Sequence, residues 1–375
     1  MFRVPNQLTR VLSLFPLLFL PLCTIKAQGL KDLFSDFQMG TALSAQDVNQ
    51  GSPEVLKVLS THFSSITPEN LLKWQSVHHE PGRYDFMAAD EFVNLGENLG
   101  VSTIGHTLVW HQQTPDWVFE REDKTLLSKT ELLARMEEHI GRVAGRYKGR
   151  IHGWDVVNEA FTDDGKYRST KWFNIAGKDF IKQAFIKASA TDPEAELYYN
   201  DYNLWKPAKL DAVLEMAMEL KASGVRIDGI GMQGHWGLGY PSLSEIEASI
   251  QKIAHAGLKV MITELDIDVL PKPSHKQGAD TNDSYRYHES FNPYKDGLPE
   301  EVKRKLAQRY EELFLLFQKH RDVISRITLW GIRDTDSWLN NWPIKGRRSY
   351  PLLFDEDYQE KEYIFEKLRS VKVAG

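Results

Sequence analysis

Ile151-His152-Gly153-Trp154-Asp155-Val156-Val157-Asn158-Glu159-Ala160 reads as a short buried strand, apolar and β-branched at its centre, that stops on an amide and a carboxylate side by side. Taken alone, Glu159 would be as well explained as a cap for a following helix, because acidic side chains are favoured at helix N-termini. A second run, Val260-Met261-Ile262-Thr263-Glu264, stops on a carboxylate in the same way. Two strands that each end on a glutamate point to a pair.

Outward from these runs the same alternation continues along the chain. Strands are expected at 37–42, 62–67, 101–107, 151–159, 197–200, 229–233, 260–264 and 327–331. Helical stretches are expected at 88–99, 127–147, 174–189, 206–223, 242–256, 299–320 and 358–368, with Gly224 and Gly257 as stops. Leu132, Leu133, Met136 and Ile140 mark one face of the second of these helices. Eight strands, all but the first followed by an expected helical stretch and with no break in composition, predict a single closed (β/α)₈ TIM barrel of the α/β class, its working residues in the loops after the strands.

The polar clusters fall at those strand ends. Glu69-Asn70 with Lys73-Trp74 follows the second strand, and His106 and His111 bracket Trp110 after the third. Gln233-Gly234-His235 follows the sixth, and Asp266 comes two residues after Glu264. The stretch 271–298 is long for a loop in a compact domain and carries Tyr285, Tyr287, His288, Phe291 and Tyr294; it is expected to border the distal part of a binding cleft.

Composition narrows the partners. Forty-six Lys and Arg against 52 Asp and Glu, with no long run of either sign, leave no electrostatic footprint for nucleic acid or an anionic membrane. A neutral polar partner fits better, and the 10 Trp, 14 Tyr and 18 Phe offer rings that stack on sugars. Residues 1–27 read as a secretion signal: Arg3 and Arg10 precede an apolar stretch at 11–22, and Ala27 is a small residue for cleavage. That stretch is too short to span a bilayer comfortably, so an exported chain with no membrane span is expected, ending at the periplasm, the cell surface or the medium. The one cysteine, Cys23, falls inside the signal, and Leu22 before it disfavours a lipid anchor. Residues 28–375 are then one barrel domain without cysteine.

Two carboxylates facing each other over a cleft can split a glycosidic bond by double displacement when one is protonated and the other ionised. At a separation of about 5 to 5.5 Å the second attacks the sugar directly and configuration is retained, whereas a wider gap admits water and inverts it. The fourth and seventh strands face each other across a barrel mouth, so Glu159 is assigned as acid and then base, and Glu264 as nucleophile. Asn158 is placed to bond the sugar 2-hydroxyl, His235 to donate to Glu264, and Asp266 to hold that imidazole in position. Loss of the Glu264 charge in the covalent intermediate favours an ionised Glu159 for the second step.

The runs Glu69-Asn70 with Lys73-Trp74, His106-Thr107-Leu108 with Trp110-His111, Trp154 to Ala160, Gln233-Gly234-His235, Thr263-Glu264-Leu265-Asp266, and Trp330-Gly331 with Asp334 and Asp336-Ser337-Trp338 resemble those of glycoside hydrolase family 10, the endo-β-1,4-xylanases. The resemblance extends over about 37–355 and, with Tyr202 after the fifth strand, touches seven of the eight strand ends. It implies a retaining (β/α)₈ enzyme acting on xylan or xylo-oligosaccharides, with no metal or organic cofactor; a monomer is expected. Carried over position by position, it makes Glu159 the acid/base and Glu264 the nucleophile. It also places Glu69, Asn70, Lys73, His106, Trp110, Gln113, Asn158, Tyr202, Gln233, His235, Trp330 and Trp338 around the sugars on the non-reducing side of the scissile bond. Two other readings compete: a retaining β-1,4-glucanase with different cleft walls, and a non-catalytic polysaccharide-binding barrel, which would have no need of two opposed acids.

Overall fold

Parallel strands buried on both faces carry near-continuous apolar runs, and the chain supplies them at regular intervals. The structure, a computed structural model, describes residues 1–2, 28–273 and 279–374. Nearly all of the expected secretion signal, with Cys23, lies outside the described residues, as does 274–278 of the long loop.

Among the described residues there are nine parallel strands: β1 (Gln38–Leu43), β2 (Ser65–Pro68), β3 (Ser102–Val109), β4 (Gly153–Asn158), β5 (Glu196–Asp201), β6 (Gly229–Met232), β7 (His235–Gly237), β8 (Lys259–Asp268) and β9 (Ile324–Leu329). β1 to β6, β8 and β9 pair in that order, β6 bonding to β8 and β9 back to β1, so the eight close into the expected (β/α)₈ barrel. β7 lies alongside the outer end of β8, with His235 opposite Asp266. Helices pack around the outside; Ser128 and Ser242 open two of them with reciprocal capping boxes to Glu131 and Glu245. The wall is tight where β3 meets β4: a Cβ on Gly105 would stand 2.1 Å from the fully buried indole of Trp154, so only glycine admits that ring.

Four local expectations need correction. The second strand begins at Ser65 and not at residue 62, because His62 completes a helix, Pro53–His62, which is capped by Ser52 and buries Val55, Val58 and Leu59. The helix expected over 174–189 is two, Lys171–Ala176 and Asp179–Thr191, broken where Gly177 turns to φ +62°. The last helix starts at Glu362 and not at 358, after Tyr358 takes φ +59° and Phe354 bridges to Glu360. Finally, β8 does not stop at Glu264. It runs on to Asp268, and every residue after Lys259 is buried. Its pairing with β9 shifts register between Ile262 and Leu265, and that irregularity lets a carboxylate side chain enter the barrel mouth from within a strand.

Candidate active site

The β4 and β8 carboxylates reach one cleft by different routes. Glu159 follows β4 directly, with φ +57°, a left-handed conformation that is unusual for a glutamate. No helix starts there; the chain continues into a small ladder between Phe161 and Tyr167, and the helix waits until Lys171, so helix capping does not explain Glu159. Both Glu159 and Glu264 are only 5% exposed. A carboxylate so buried requires partners, and each has its own set.

Around Glu264, His235 Nε2 lies 3.1 Å from Oε2 and Asn200 Nδ2 donates to Oε1 at 2.8 Å. His235 Nδ1 in turn lies 3.0 Å from Asp266 Oδ2, which also accepts the Trp338 indole N–H at 2.7 Å. Burial works against the imidazolium, yet the two carboxylates overcome it and lift His235 to about 9. Burial likewise pushes Glu264 upward, but the His235 hydrogen bond and the neighbouring imidazoles and amide outweigh it, leaving Glu264 below the usual carboxylate range.

Around Glu159, the Trp110 indole N–H donates to Oε2 at 3.0 Å, while Gln233 Nε2 (2.9 Å) and Asn158 Nδ2 (3.2 Å) both reach Oε1. Asn200 connects the two sets, since its Nδ2 also donates to Asn158 Oδ1 at 3.0 Å and its Oδ1 accepts from Thr263 at 2.6 Å. Asn200 fits because Gly231 on the next strand has no side chain; a Cβ there would fall 2.4 Å from Asn200 Oδ1. The far wall comes from β2 and β3. Lys73 Nζ bonds Asn70 Oδ1 at 2.9 Å and sits 4.7 Å from the Trp110 ring, Gln113 Nε2 also donates to Asn70, and His106 is braced by Asp155 at 2.9 Å. Burial holds Lys73 below its ordinary value, and it pushes Glu69 above its own.

The cleft, about 320 Å³, is lined by both glutamates and by Glu69, Asn70, Lys73, His106, Trp110, Gln113, Asn158, Gln233, His235, Trp330 and Trp338. Asp266 stands behind His235. Tyr202 is set apart: it lines an adjoining cavity of about 440 Å³ with Arg168, Asn203, Lys206, Tyr285 and Trp342. The loop after β8 borders both spaces, Ala279 and Thr281 facing the first and Asp280, Asp283 and Tyr285 the second. His111 does not line the cleft, and burial pushes it down to about 3. Asn200, Thr263 and Asp155 were not singled out from the sequence. Their signal was present, in polar side chains within or near the ends of otherwise apolar strands.

Among the described residues no group of His, Cys, Asp and Glu has the arrangement of a metal site, and no helix is long and apolar enough to cross a membrane. What the cleft offers is two buried carboxylates with contrasting donors, rings at its edges, and many neutral hydrogen-bonding groups. That is the equipment for general acid and nucleophilic chemistry on a polyhydroxylated substrate.

A family model described as glycosyl hydrolase family 10 matches residues 29–369. The chain is 41% identical over 356 residues to endo-1,4-beta-xylanase A of Xylanibacter ruminicola, covering 94% of this chain and 96% of that one. It is 40% identical over 339 residues to an endo-1,4-beta-xylanase of Geobacillus stearothermophilus, covering 89% and 96%. Among solved structures, a GH10 endoxylanase retrieved from a sugarcane soil metagenome superposes with a TM-score of 0.87 at 44% identity, covering 92% of this chain and 99% of that one. A xylanase from Paenibacillus barcinonensis, complexed with a conduramine derivative, superposes with a TM-score of 0.82 at 34% identity, covering 92% and 99%.

Proposed function

The chain belongs to glycosyl hydrolase family 10, and from that premise we propose that it is an endo-1,4-β-xylanase that cleaves internal bonds of xylan with retention of configuration. The observation that carries the mechanism is the pair of buried glutamates on one cleft with different partners. Glu264, held ionised by His235 and Asn200, attacks the anomeric carbon. As that bond forms, the bond to the leaving oxygen breaks and Glu159 gives its proton to that oxygen. Water then attacks the anomeric carbon, Glu159 takes the water's proton, and Glu264 leaves as the carboxylate. Asn158 bonds the sugar 2-hydroxyl, and the remaining polar groups of the cleft hold the ring hydroxyls. The family relatives named as xylanases support the choice of sugar, and the apolar leader supports export of the mature chain from Gln28.

The test combines products with rescue. Early products of xylan should carry the β-anomer by proton NMR, and xylan should be cut faster than soluble cellulose. Glu264→Ala should lose turnover on all glycosides. Glu159→Ala should lose xylan cleavage far more than cleavage of aryl glycosides with good leaving groups, and azide should restore its second step. An initial α-anomer, or equal losses on both substrate types without rescue, would remove these roles.

A further inference from the structure

The left-handed backbone at Glu159 is held from behind by a buried charge pair. The Glu159 N–H donates to the Asn200 carbonyl at 2.9 Å, and Arg168 Nε donates to the Glu159 carbonyl at 3.2 Å. The next N–H, on Ala160, donates to the Tyr199 hydroxyl at 2.8 Å. Tyr199 in turn donates to Asp201 Oδ2 at 2.6 Å, and Asp201 Oδ1 lies 2.7 Å from Lys209 Nζ. Tyr199, Asp201 and Lys209 are all 0% exposed, and the Lys209 ammonium also sits 3.7 Å from the centre of the Tyr202 ring.

A lysine is seldom buried completely, and apolar side chains of similar volume commonly replace a buried ion pair without loss of stability. This pair therefore invites a second explanation. Lys209 belongs to the helix Pro207–Ala222 and Asp201 to β5, whereas the residue they reach through Tyr199 is the neighbour of Glu159. Burial raises Asp201 to about 6 even with Lys209 beside it, so without the ammonium its charge would not persist in that site. A charged acceptor fixes the Tyr199 hydroxyl hydrogen toward Asp201, which leaves the hydroxyl's lone pair for the Ala160 N–H.

Resting on the acid/base reading of Glu159, we propose that Tyr199, Asp201 and Lys209 form a positioning relay for the proposed reaction. By anchoring the Ala160 N–H, the relay keeps Glu159 in its left-handed conformation and its carboxyl aimed at the leaving-group oxygen. None of the three touches substrate; they act through the backbone.

The experiment is a leaving-group series of aryl β-xylobiosides, from dinitrophenyl, which needs no proton, to phenyl, which does. It is run on the wild type, Glu159→Ala, Tyr199→Phe and the double variant Asp201→Asn/Lys209→Met, with melting curves for each. Tyr199→Phe removes a single oxygen and should fold; the double variant removes both charges together. Both should lose kcat/KM on the phenyl substrate at least about tenfold more than on the dinitrophenyl substrate, a fraction of the roughly 10²–10⁴-fold that general acid catalysis supplies. Equal losses across the series in Tyr199→Phe, or none, would overturn the relay and leave these residues a structural role. If Glu159→Ala itself shows no steeper leaving-group dependence than wild type, the acid/base reading fails and takes the relay with it.

Discussion

Asn200 Nδ2 lies 2.8 Å from Glu264 Oε1, and the same nitrogen bonds Asn158 Oδ1 at 3.0 Å, so one amide on β5 joins the environments of the two carboxylates. Thr263 fixes which way the amide points, because its hydroxyl donates to Asn200 Oδ1.

Replacing Asn200 with Ala removes a donor from a charged acceptor, an interaction of about 1.5–3 kcal/mol, so kcat/KM on xylan should fall about ten- to a hundredfold. Because Asn200 helps hold Glu264 below its ordinary value, the acid limb of the kcat/KM profile should also move to higher pH. A fall in rate with an unmoved acid limb would mean that Asn200 shapes the cleft without supporting the nucleophile.

His235 makes stability depend on alkali. Its folded value of about 9 is above the ordinary imidazole value of 6.5, so the folded state binds its proton more tightly than the unfolded state. The contribution is complete below about pH 6.5 and is lost as pH rises through 9, on the order of 3 kcal/mol over that window. Urea unfolding from pH 6.5 to 9 should show this decline in wild type and a flatter dependence in His235→Asn. Parallel slopes would show that the proton is not held as described.

A pair of histidines works in the opposite direction. His78 and His139 lie 3.4 Å apart, nitrogen to nitrogen, beneath Trp74, whose ring centre is 3.6 Å from that of His139. Burial pushes His78 down to about 4 and His139 well below its ordinary value. The stability tied to their neutral forms is present above pH 6.5 and lost as pH falls toward 4. His139→Phe, which keeps a flat ring against Trp74, should lessen the drop in Tm between pH 6.5 and 4 relative to wild type. An unchanged drop would assign acid sensitivity to other groups.

Trp338 should set the preference for xylose over glucose. Its ring lies in the cleft, tilted over His235 at 4.8 Å and stacked on Trp342 at 4.5 Å, and its N–H is tied to Asp266. Xylose and glucose share their ring hydroxyls, so the extra hydroxymethyl group must be refused by shape, with a barrier of about 1–3 kcal/mol, or about 10- to 200-fold. Trp338→Ala should narrow the ratio of kcat/KM between aryl xylobioside and aryl cellobioside, with a melting curve as folding control. A folded variant with the wild-type ratio would assign the wall to another residue.

The periodicity of apolar runs decided much in advance. The eight expected strands close into one barrel, and the two glutamates line one cleft at its mouth together with eleven of the twelve residues that the family resemblance, and not periodicity, had placed around the substrate. Such patterns are local, and a strand or helix buries the face that its own spacing dictates. What only the tertiary structure decided lies between elements. Glu264 enters the cleft from inside β8 through a register shift, Tyr202 turns to the adjoining cavity, and Asn200 spans two strands into space left by Gly231. Lys209, a charge within the expected helix 206–223, is fully buried against Asp201. The placements of Glu264 and Asn200 depend on which strands become neighbours and in what register, and barrel closure sets that between residues far apart in the chain, beyond the reach of any local spacing.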